Sequence, residues 1–226
     1  MRDDLLGIGL YTPSEAQRLL KIPAGKIGRW LKGHGIGNRR YPALWQPQVD
    51  LGDGSLYLGF RDLMELRTAH QFIEAGVSAQ QVRRAIVEAR KYVDDERPLS
   101  TTRFRTDGRT IFLEIAAEDN DTKLLDIFGK QYAFSRIIER SLKDVEFEGP
   151  TPSRWWIGSS RSGVVIDPER AFGQPIDSET GIPTAVLANA AIAEKSVTGA
   201  AQAWRVSVAT IRRAVRFENS LTGLAA

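Results

Sequence analysis

The segment from Tyr11 to Leu31 constrains the fold most, because its first half predicts a short helix with a defined beginning and end. Thr12 can cap the helix, and Pro13 fits the first helical position. Glu15 lies three residues after the cap and can reach back to the Thr12 amide, which completes a capping box. Pro23 ends the helix because it cannot continue the ladder of backbone hydrogen bonds.

A second short helix is predicted from about Ala24. Its apolar residues recur at core spacing and its cations face outward; the two sets are Ile27, Trp30 and Leu31, and Lys26, Arg29 and Lys32. Two short helices with a tight turn form a helix-turn-helix, whose second helix enters the major groove of DNA. A helical hairpin without a DNA role has the same periodicity. The charge favours DNA binding, since the segment from Glu15 to Arg40 has seven bases and one acid.

The next elements add a candidate wing and a second pair of helices. Asn38–Tyr41 is basic and aromatic, and Asp53-Gly54 predicts a hairpin turn between two short strands; these are Ala43–Trp45 and Leu56–Leu58. Two helices are then predicted, from about Arg61 to Glu74 and from about Ala79 to Asp94.

This order of elements resembles the winged helix-turn-helix of MerR-type regulators. The resemblance is carried by YTPSEAQRLL and IPAGKIGRWL for the helix-turn-helix, NRRY for the basic wing, and FRDLMELRTAHQFIEAGVSAQQVRRAI for the second helix pair. It implies DNA contacts by Lys26, Arg29, Arg39, Arg40 and Tyr41, and the candidate surface also includes Thr12, Ser14 and Lys32.

The chain departs from the MerR pattern after residue 94, where those regulators continue into a long dimerisation helix. Here strand-like sequence is expected instead, at Phe104–Thr106 and Thr110–Leu113 around the turn Asp107-Gly108. Thr122–Leu142 has helical spacing, although Gly129 interrupts it. Residues 145–162 are predicted to be a linker. Its exposed pair Trp155 and Trp156 would either anchor a partner or pack back onto a neighbouring domain.

A second small domain is predicted from about Gly163. Two short strands, Val164–Pro168 and Gly173–Ile176, precede three helices. The helices are Thr184–Glu194, Val197–Trp204 and Ser207–Glu218. The last two have the spacing of another helix-turn-helix, and Arg212, Arg213 and Arg216 on the final helix are basic candidates for contact with a partner.

This C-terminal segment also resembles a known bacterial domain. The stretch VIDPERAFGQPIDSETGIPTAVLANAAIAEKSVTGAAQAWRVSVATIRRAVRFE is similar to a domain formerly of unknown function that is common in antitoxins. With the N-terminal winged unit, the chain as a whole resembles a VapB-like antitoxin. Gly181 stands where the family usually has an arginine, so no role of that arginine is carried over.

The resemblance implies a DNA-binding antitoxin of a type II toxin-antitoxin system. Such a protein would bind double-stranded operator DNA as a homodimer, repress its own operon, and neutralise a cognate PIN-like ribonuclease toxin by direct binding. The candidate toxin contacts are Trp155, Trp156, Arg212, Arg213 and Arg216. The alternative is a MerR-like regulator that responds to a small ligand and has no toxin partner.

Composition argues against an enzyme. The 226 residues include no cysteine and only two histidines, His34 and His70, which excludes thiolate chemistry and argues against a histidine-rich metal site. No phosphate-binding loop or metalloprotease motif is present, and no cofactor is expected. The acids Glu118, Asp119 and Asp121 are more typical of a solvated loop than of a metal site.

The expected protein is therefore mainly α-helical and non-catalytic, with short β-hairpins and a small C-terminal helical domain. The expected divisions are a DNA-binding domain at 1–97, a connecting region at 98–162 and an antitoxin-type domain at 163–226. No apolar run is long enough to span a bilayer, and the N-terminus lacks a signal-peptide pattern. A cytoplasmic protein without a membrane partner is expected.

Overall fold

The computed structural model describes residues 6–129 and 131–223, which fall into two compact units. The larger unit contains residues 12–143 and 147–152, and the smaller unit contains residues 6–11, 144–146 and 153–223. Helices dominate both units, and the strands form two small sheets. The prediction of a mainly α-helical chain with short hairpins is confirmed at this level.

The larger unit contains seven of the labelled helices within the described residues, and one hairpin. Its elements are α1 (Pro13–Leu20), α2 (Ala24–Lys32), β1 (His34–Ile36), β2 (Arg39–Tyr41), α3 (Phe60–Glu74), α4 (Ala79–Val93), α5 (Thr102–Glu118), α6 (Thr122–Gly129) and α7 (Gln131–Ser141).

The first two helices begin and end where the sequence predicts. The Glu15 amide donates to Thr12 Oγ1 over 3.3 Å, and the Thr12 amide donates to Glu15 Oε2 over 2.8 Å, which is the predicted capping box. Helix α1 ends at Lys21, whose φ of 62° breaks the helical path. The apolar side chains of α2 that the spacing assigns to the core are buried; they are Ile27, Trp30 and Leu31.

A cluster of aromatic rings forms the centre of the larger unit. Adjacent ring centroids in this cluster lie between 4.7 and 6.3 Å apart, within the range in which aromatic pairs attract each other. All five rings are buried, and they come from α3, α5, α6 and α7. The members are Phe72, Phe104, Phe112, Phe128 and Phe134. The cluster ties these helices together behind α1 and α2.

The predicted hairpin around Asp107-Gly108 is wrong, because this stretch is the middle of α5. The Thr101 side chain caps the helix by accepting from the Phe104 amide. Gly108 is needed here for packing and not for a turn, since a Cβ at that position would lie 2.8 Å from the Phe104 ring. Phe104, Ile111, Phe112 and Ile115 are buried at helical spacing, and their burial outweighs the local turn signal.

The hairpin predicted around Asp53-Gly54 is also wrong. Residues 43–45 are not in a strand, and Tyr57 instead forms an isolated bridge with Val49. The hairpin lies earlier in the chain, where β1 pairs with β2 in antiparallel register and His34 lies opposite Tyr41. Arg39–Tyr41 of the basic segment therefore form the returning strand β2 of this hairpin, and Asn38 lies in its turn.

The second sheet has the strand order β3-β4-β5-β6. Its strands are β3 (Val145–Glu148), β4 (Thr151–Trp156), β5 (Val164–Ile166) and β6 (Pro175–Asp177). The prediction of a linker over residues 145–162 is wrong, because Trp155 and Trp156 lie in β4 and pair with β5. The prediction of two short strands near Val164 and Pro175 is confirmed.

Three helices complete the smaller unit close to the predicted bounds, namely α8 (Thr184–Ala193), α9 (Val197–Trp204) and α10 (Val208–Thr222). Their core is built of small and aliphatic side chains: Leu187, Ala190, Ala200, Ala201, Ile211 and Ala214. Alanines at these contacts let the helices approach closely. The predicted helix over Thr122–Leu142 is helical on both sides of Lys130, as α6 and α7, and Lys130 itself lies outside the described residues.

Candidate nucleic-acid interface

The outward side of α2 presents two cations to solvent. Arg29 and Lys32 are exposed, and the Lys32 ammonium donates to the Gly54 carbonyl over 3.0 Å. Arg29 has no ion-pair partner among residues 6–129 and 131–223. The side chains at positions 25 and 28 are absent because both residues are glycine, and no atom lies within 4 Å of where their Cβ atoms would be. This face of α2 is therefore low in relief and positive.

Lys26 is the cation of α2 that lies beside an acid. Its ammonium lies 5.0 Å from the centroid of the Trp30 ring and 3.7 Å from Glu74 Oε1 on α3. His70 Nδ1 is also 3.7 Å from that carboxylate oxygen. Burial and the nearby Lys26 charge lower the pKa of His70, so at neutral pH its ring adds no charge to this group. Part of the Lys26 charge is compensated before any ligand binds.

The hairpin β1–β2 carries the second group of cations. Arg39 and Arg40 are exposed on β2, and neither forms an ion pair with any other described residue. Tyr41 stacks on His34 across the two strands, with centroids 5.0 Å apart and an interplanar angle of 13°. The stack leaves Tyr41 38% exposed. The predicted wing residues thus share one short, positively charged hairpin beside α2.

Three contacts fix this hairpin against α2 and α4. A Cβ on Gly33, whose φ is +71°, would lie 2.6 Å from the Tyr41 carbonyl oxygen, so only glycine fits between helix and hairpin. The Leu44 amide donates to the Trp30 carbonyl over 2.7 Å. The Arg83 guanidinium on α4 donates to the carbonyls of Pro42 and Ala43. The position of the cations on the hairpin is therefore set by the fold and not by a free loop.

The other two predicted DNA contacts lie at the start of α1. Ser14 is exposed there. Thr12 is engaged in capping, since its amide and its hydroxyl both donate to Glu15 Oε2 over 2.8 Å. The Glu15 carboxylate therefore already occupies this helix N-terminus and offsets its partial positive charge. Within the described chain, α1, α2 and the hairpin bring the predicted site residues together in the larger unit.

A buried carboxylate that the sequence analysis missed holds the segment after the hairpin. The side chain of Asp62, near the start of α3, is fully buried and accepts from four donors. These are the Trp45 indole at 3.0 Å, the Gln48 amide at 2.7 Å, the Gly59 amide at 2.9 Å and Arg97 Nε at 2.7 Å. The partners lie far apart in sequence, so no local pattern points to Asp62 as their common acceptor.

One helical turn later, α3 carries a second buried carboxyl group with a different environment. Glu65 Oε1 accepts from the amide and the hydroxyl of Ser100, both over 3.2 Å, whereas Oε2 has no hydrogen-bond partner within the described chain. Burial raises the pKa of Glu65 to about 8, against the opposing influence of Ser100 and of the Arg61 and Arg97 charges. Glu65 is therefore mostly protonated at neutral pH.

The structure separates the side chains predicted to bind a partner. Trp155 is buried. Trp156 is half-buried, and its indole donates to Glu146 Oε1 over 2.7 Å. Arg213 is held inside its own unit, where Nε donates to Asp177 Oδ2 over 2.7 Å and the guanidinium lies 3.1 Å from Glu179. Arg212 and Arg216 are exposed and form no ion pair with another described residue.

Comparison with known proteins supports a relation to an antitoxin. The chain is 27% identical over 194 residues to a Mycobacterium tuberculosis protein described as "Putative antitoxin VapB45", and the match covers 79% of this chain and 80% of that protein. The crystal structure of Rv2018 from Mycobacterium tuberculosis has the same fold, with a TM-score of 0.65 and 21% identity. That likeness covers 93% of this chain and 99% of Rv2018. No family model matches the chain.

The acids considered for a metal site form contacts with neighbouring helices instead. Glu118 and Asp119 both pair with Arg84 on α4. Asp121 accepts from Gln81 over 2.6 Å and from the Leu124 amide over 3.0 Å, which caps α6. Among the described residues, no group of histidines and acids has the arrangement of a metal site. No helix in the same ranges has the length and apolar character to cross a membrane.

Proposed function

We propose that this chain is a DNA-binding antitoxin of a type II toxin-antitoxin system. In this proposal it represses its own operon as a homodimer and neutralises a PIN-like ribonuclease toxin by direct binding. The antitoxin part rests on the likeness to the protein described as an antitoxin, which extends over four fifths of both chains. A protein that acts by covering a nuclease needs no catalytic group of its own.

The observation that carries the DNA-binding part is the set of uncompensated cations on α2 and the wing. Arg29, Arg39 and Arg40 have no acid paired with them in the described chain, and the hairpin is held in place by Gly33 and Arg83. Arginines presented this way neutralise phosphates and release condensed counterions, which makes DNA affinity strongly dependent on salt. The winged helix-turn-helix assignment of α1, α2 and the hairpin belongs to this proposal.

For the toxin, we place the contact on the smaller unit at Trp156. It is the member of the tryptophan pair that retains exposed surface, whereas Trp155 is buried. Partly exposed tryptophans are frequent anchors of protein interfaces because they bury a large area with few rotatable bonds. The test is co-expression with the product of the neighbouring gene, followed by purification on a tag carried by the antitoxin. We expect a complex that Trp156→Ala weakens. A chain that purifies alone would favour the ligand-responsive regulator.

DNA binding is tested with the full chain and a duplex taken from upstream of its own coding sequence. Affinity is measured by fluorescence anisotropy over a series of salt concentrations. Arg39→Ala/Arg40→Ala should flatten the plot of log affinity against log salt by about 1.8 for each bound protomer, since each lost phosphate contact removes about 0.9. The matched control is Arg103→Ala/Arg105→Ala, two exposed arginines on α5 of the same unit. Equal slopes for the two double variants would contradict the proposed wing contacts.

A further inference from the structure

We propose that α10 carries a second DNA-binding surface, formed by Arg212 and Arg216 together with the exposed residues in line with them. This surface lies on the smaller unit and is separate from the DNA-binding surface proposed on α2 and the wing. The ligand we assign to it is double-stranded DNA, recognised through its phosphates and the edges of its bases.

The geometry of α9 and α10 is the first observation. Helix α9 ends at Arg205, whose φ of 52° and ψ of 43° turn the chain sharply, and the Val206 amide donates back to the Ala201 carbonyl over 3.0 Å. Ser207 then caps α10 by accepting from the Thr210 amide over 3.0 Å. A short helix, a turn of three residues and a longer helix form a helix-turn-helix, in which the longer helix is the one that enters the major groove.

The packing of α10 leaves one of its faces free. Ile211 and Ala214 are buried against α8 and α9. The opposite face is exposed and its residues follow helical spacing: Ala209, Arg212, Arg216 and Asn219. Helix α10 has 15 residues, so it is about 22 Å long at 1.5 Å per residue. The major groove is about 12 Å wide and admits an α-helix.

The charge on this face is the second observation. Helices α8 and α9 contain no charged residue, and Arg212 and Arg216 have no ion-pair partner in the described ranges. Arg213, their immediate neighbour in sequence, is held by the buried Asp177. The fold therefore uses one arginine of α10 internally and leaves two exposed to solvent. These two are four positions apart and lie on the same side of the helix.

The chemistry of the face favours DNA over an acidic protein. The face combines arginines with an asparagine and a small residue, and no large apolar side chain lies in line with them. Protein interfaces concentrate their binding energy in buried aromatic and aliphatic anchors, which this face lacks. Arginine pairs with guanine and asparagine with adenine at the edges exposed in the major groove. Contact of these arginines with a protein partner, as expected from the sequence, is the competing outcome of the test.

The test uses the full chain and measures salt dependence of binding to two duplexes, one from upstream of its coding sequence and one unrelated. Arg212→Ala/Arg216→Ala is expected to flatten the salt slope by about 1.8 for each bound protomer when both arginines contact phosphates. Arg212→Lys/Arg216→Lys keeps the charge and should restore the slope. The control Arg161→Ala removes an exposed arginine of the same unit that lies in the short 3-10 helix Ser160–Ser162 and not on α10, and it should leave the slope unchanged.

The same substitutions in the Arg39→Ala/Arg40→Ala background separate this inference from the proposed function. Two independent surfaces give slope changes that add, so the quadruple variant should lose about twice as much as either double variant. A slope that responds to Arg39 and Arg40 only would overturn the α10 surface and leave the wing proposal standing. A slope that responds to Arg212 and Arg216 only would overturn the wing contacts and leave the α10 surface standing. Loss of a co-purified toxin with DNA binding intact would overturn the inference in favour of a protein ligand.

Discussion

Replacement of Glu65 by glutamine should make the larger unit more stable at neutral and mildly alkaline pH. Glu65 is fully buried on α3, and its pKa is raised from 4.5 to about 8 in the folded protein. The unfolded chain releases the Glu65 proton near pH 4.5, whereas the folded chain retains it until about pH 8. Folding therefore requires uptake of a proton between these values, and the stability of the wild-type protein falls as pH rises through that window.

The size of the effect follows from the width of the window. Each pKa unit corresponds to 1.36 kcal/mol, so at pH 7 the penalty is about 3 kcal/mol, and above pH 8 it reaches about 5 kcal/mol. Glutamine is uncharged at every pH, and its amide oxygen can accept from Ser100 as Glu65 Oε1 does. Below pH 5 the two proteins should therefore differ little, whereas at pH 8 the Glu65→Gln variant should be the more stable by several kcal/mol.

The assay is urea unfolding at a series of pH values from 5 to 8, with hydrogen exchange of the α3 amides reporting on the larger unit specifically. The matched control is Glu114→Gln, an exposed glutamate on α5 of the same unit, which should follow the wild-type pH dependence. If Glu65→Gln loses stability between pH 5 and 8 as steeply as the wild type does, burial of an ionisable Glu65 is not the cause of the slope and the reasoning is refuted.

Two further substitutions test the interface and the smaller unit. Gly28→Ala should raise the thermal midpoint, because alanine is favoured over glycine in a helix by about 1 kcal/mol and no atom lies within 4 Å of the new Cβ. The same substitution should weaken DNA binding in the anisotropy assay. Unchanged affinity would argue against close approach of DNA to that side of α2. Arg213→Leu should destabilise the smaller unit by about 3 kcal/mol, since it leaves the buried Asp177 without its cation. In urea unfolding, the control Arg212→Leu should have nearly the same free energy of unfolding as the wild type. An equal loss of stability in both variants would contradict the assignment of Arg213 as the internal arginine.

Local signals account for the parts of the fold that the sequence predicts well. The capping box of Thr12 and Glu15 sets the start of α1, and the cap at Ser207 sets the start of α10. Both depend on residues within one helical turn, and tertiary packing does not oppose them. The same is true of the cations of the wing, which the pattern of residues 38–41 already places next to one another.

The predictions from the sequence fail where residues distant in the chain determine the local structure. Asp107-Gly108 by itself predicts a turn. Gly108 is instead required because the Phe104 ring occupies the space that a side chain would need. Phe104 belongs to an aromatic cluster whose members come from four helices. The acceptor role of Asp62 depends on Trp45, Gln48 and Arg97, up to 35 residues away. Periodicity over Phe104–Ile115 could have revealed α5, whereas no sequence signal indicates the Asp62 network.

Some cations of this chain are paired with acids within the protein and others are free to contact DNA, so the net charge alone does not describe the DNA-binding surfaces. A count from the sequence gives 31 lysines and arginines and a net charge of +3, but the pairing of individual cations decides what DNA can contact. Lys26 shares its charge with Glu74, and Arg213 is held by Asp177. If each arginine of the two proposed surfaces neutralises one phosphate, five contacts give a salt slope near −4.5 for each bound protomer, at about 0.9 each. Neither net charge nor pI fixes that value; it depends on which arginines of the two proposed surfaces have no acid paired with them in the described chain, namely Arg29, Arg39, Arg40, Arg212 and Arg216.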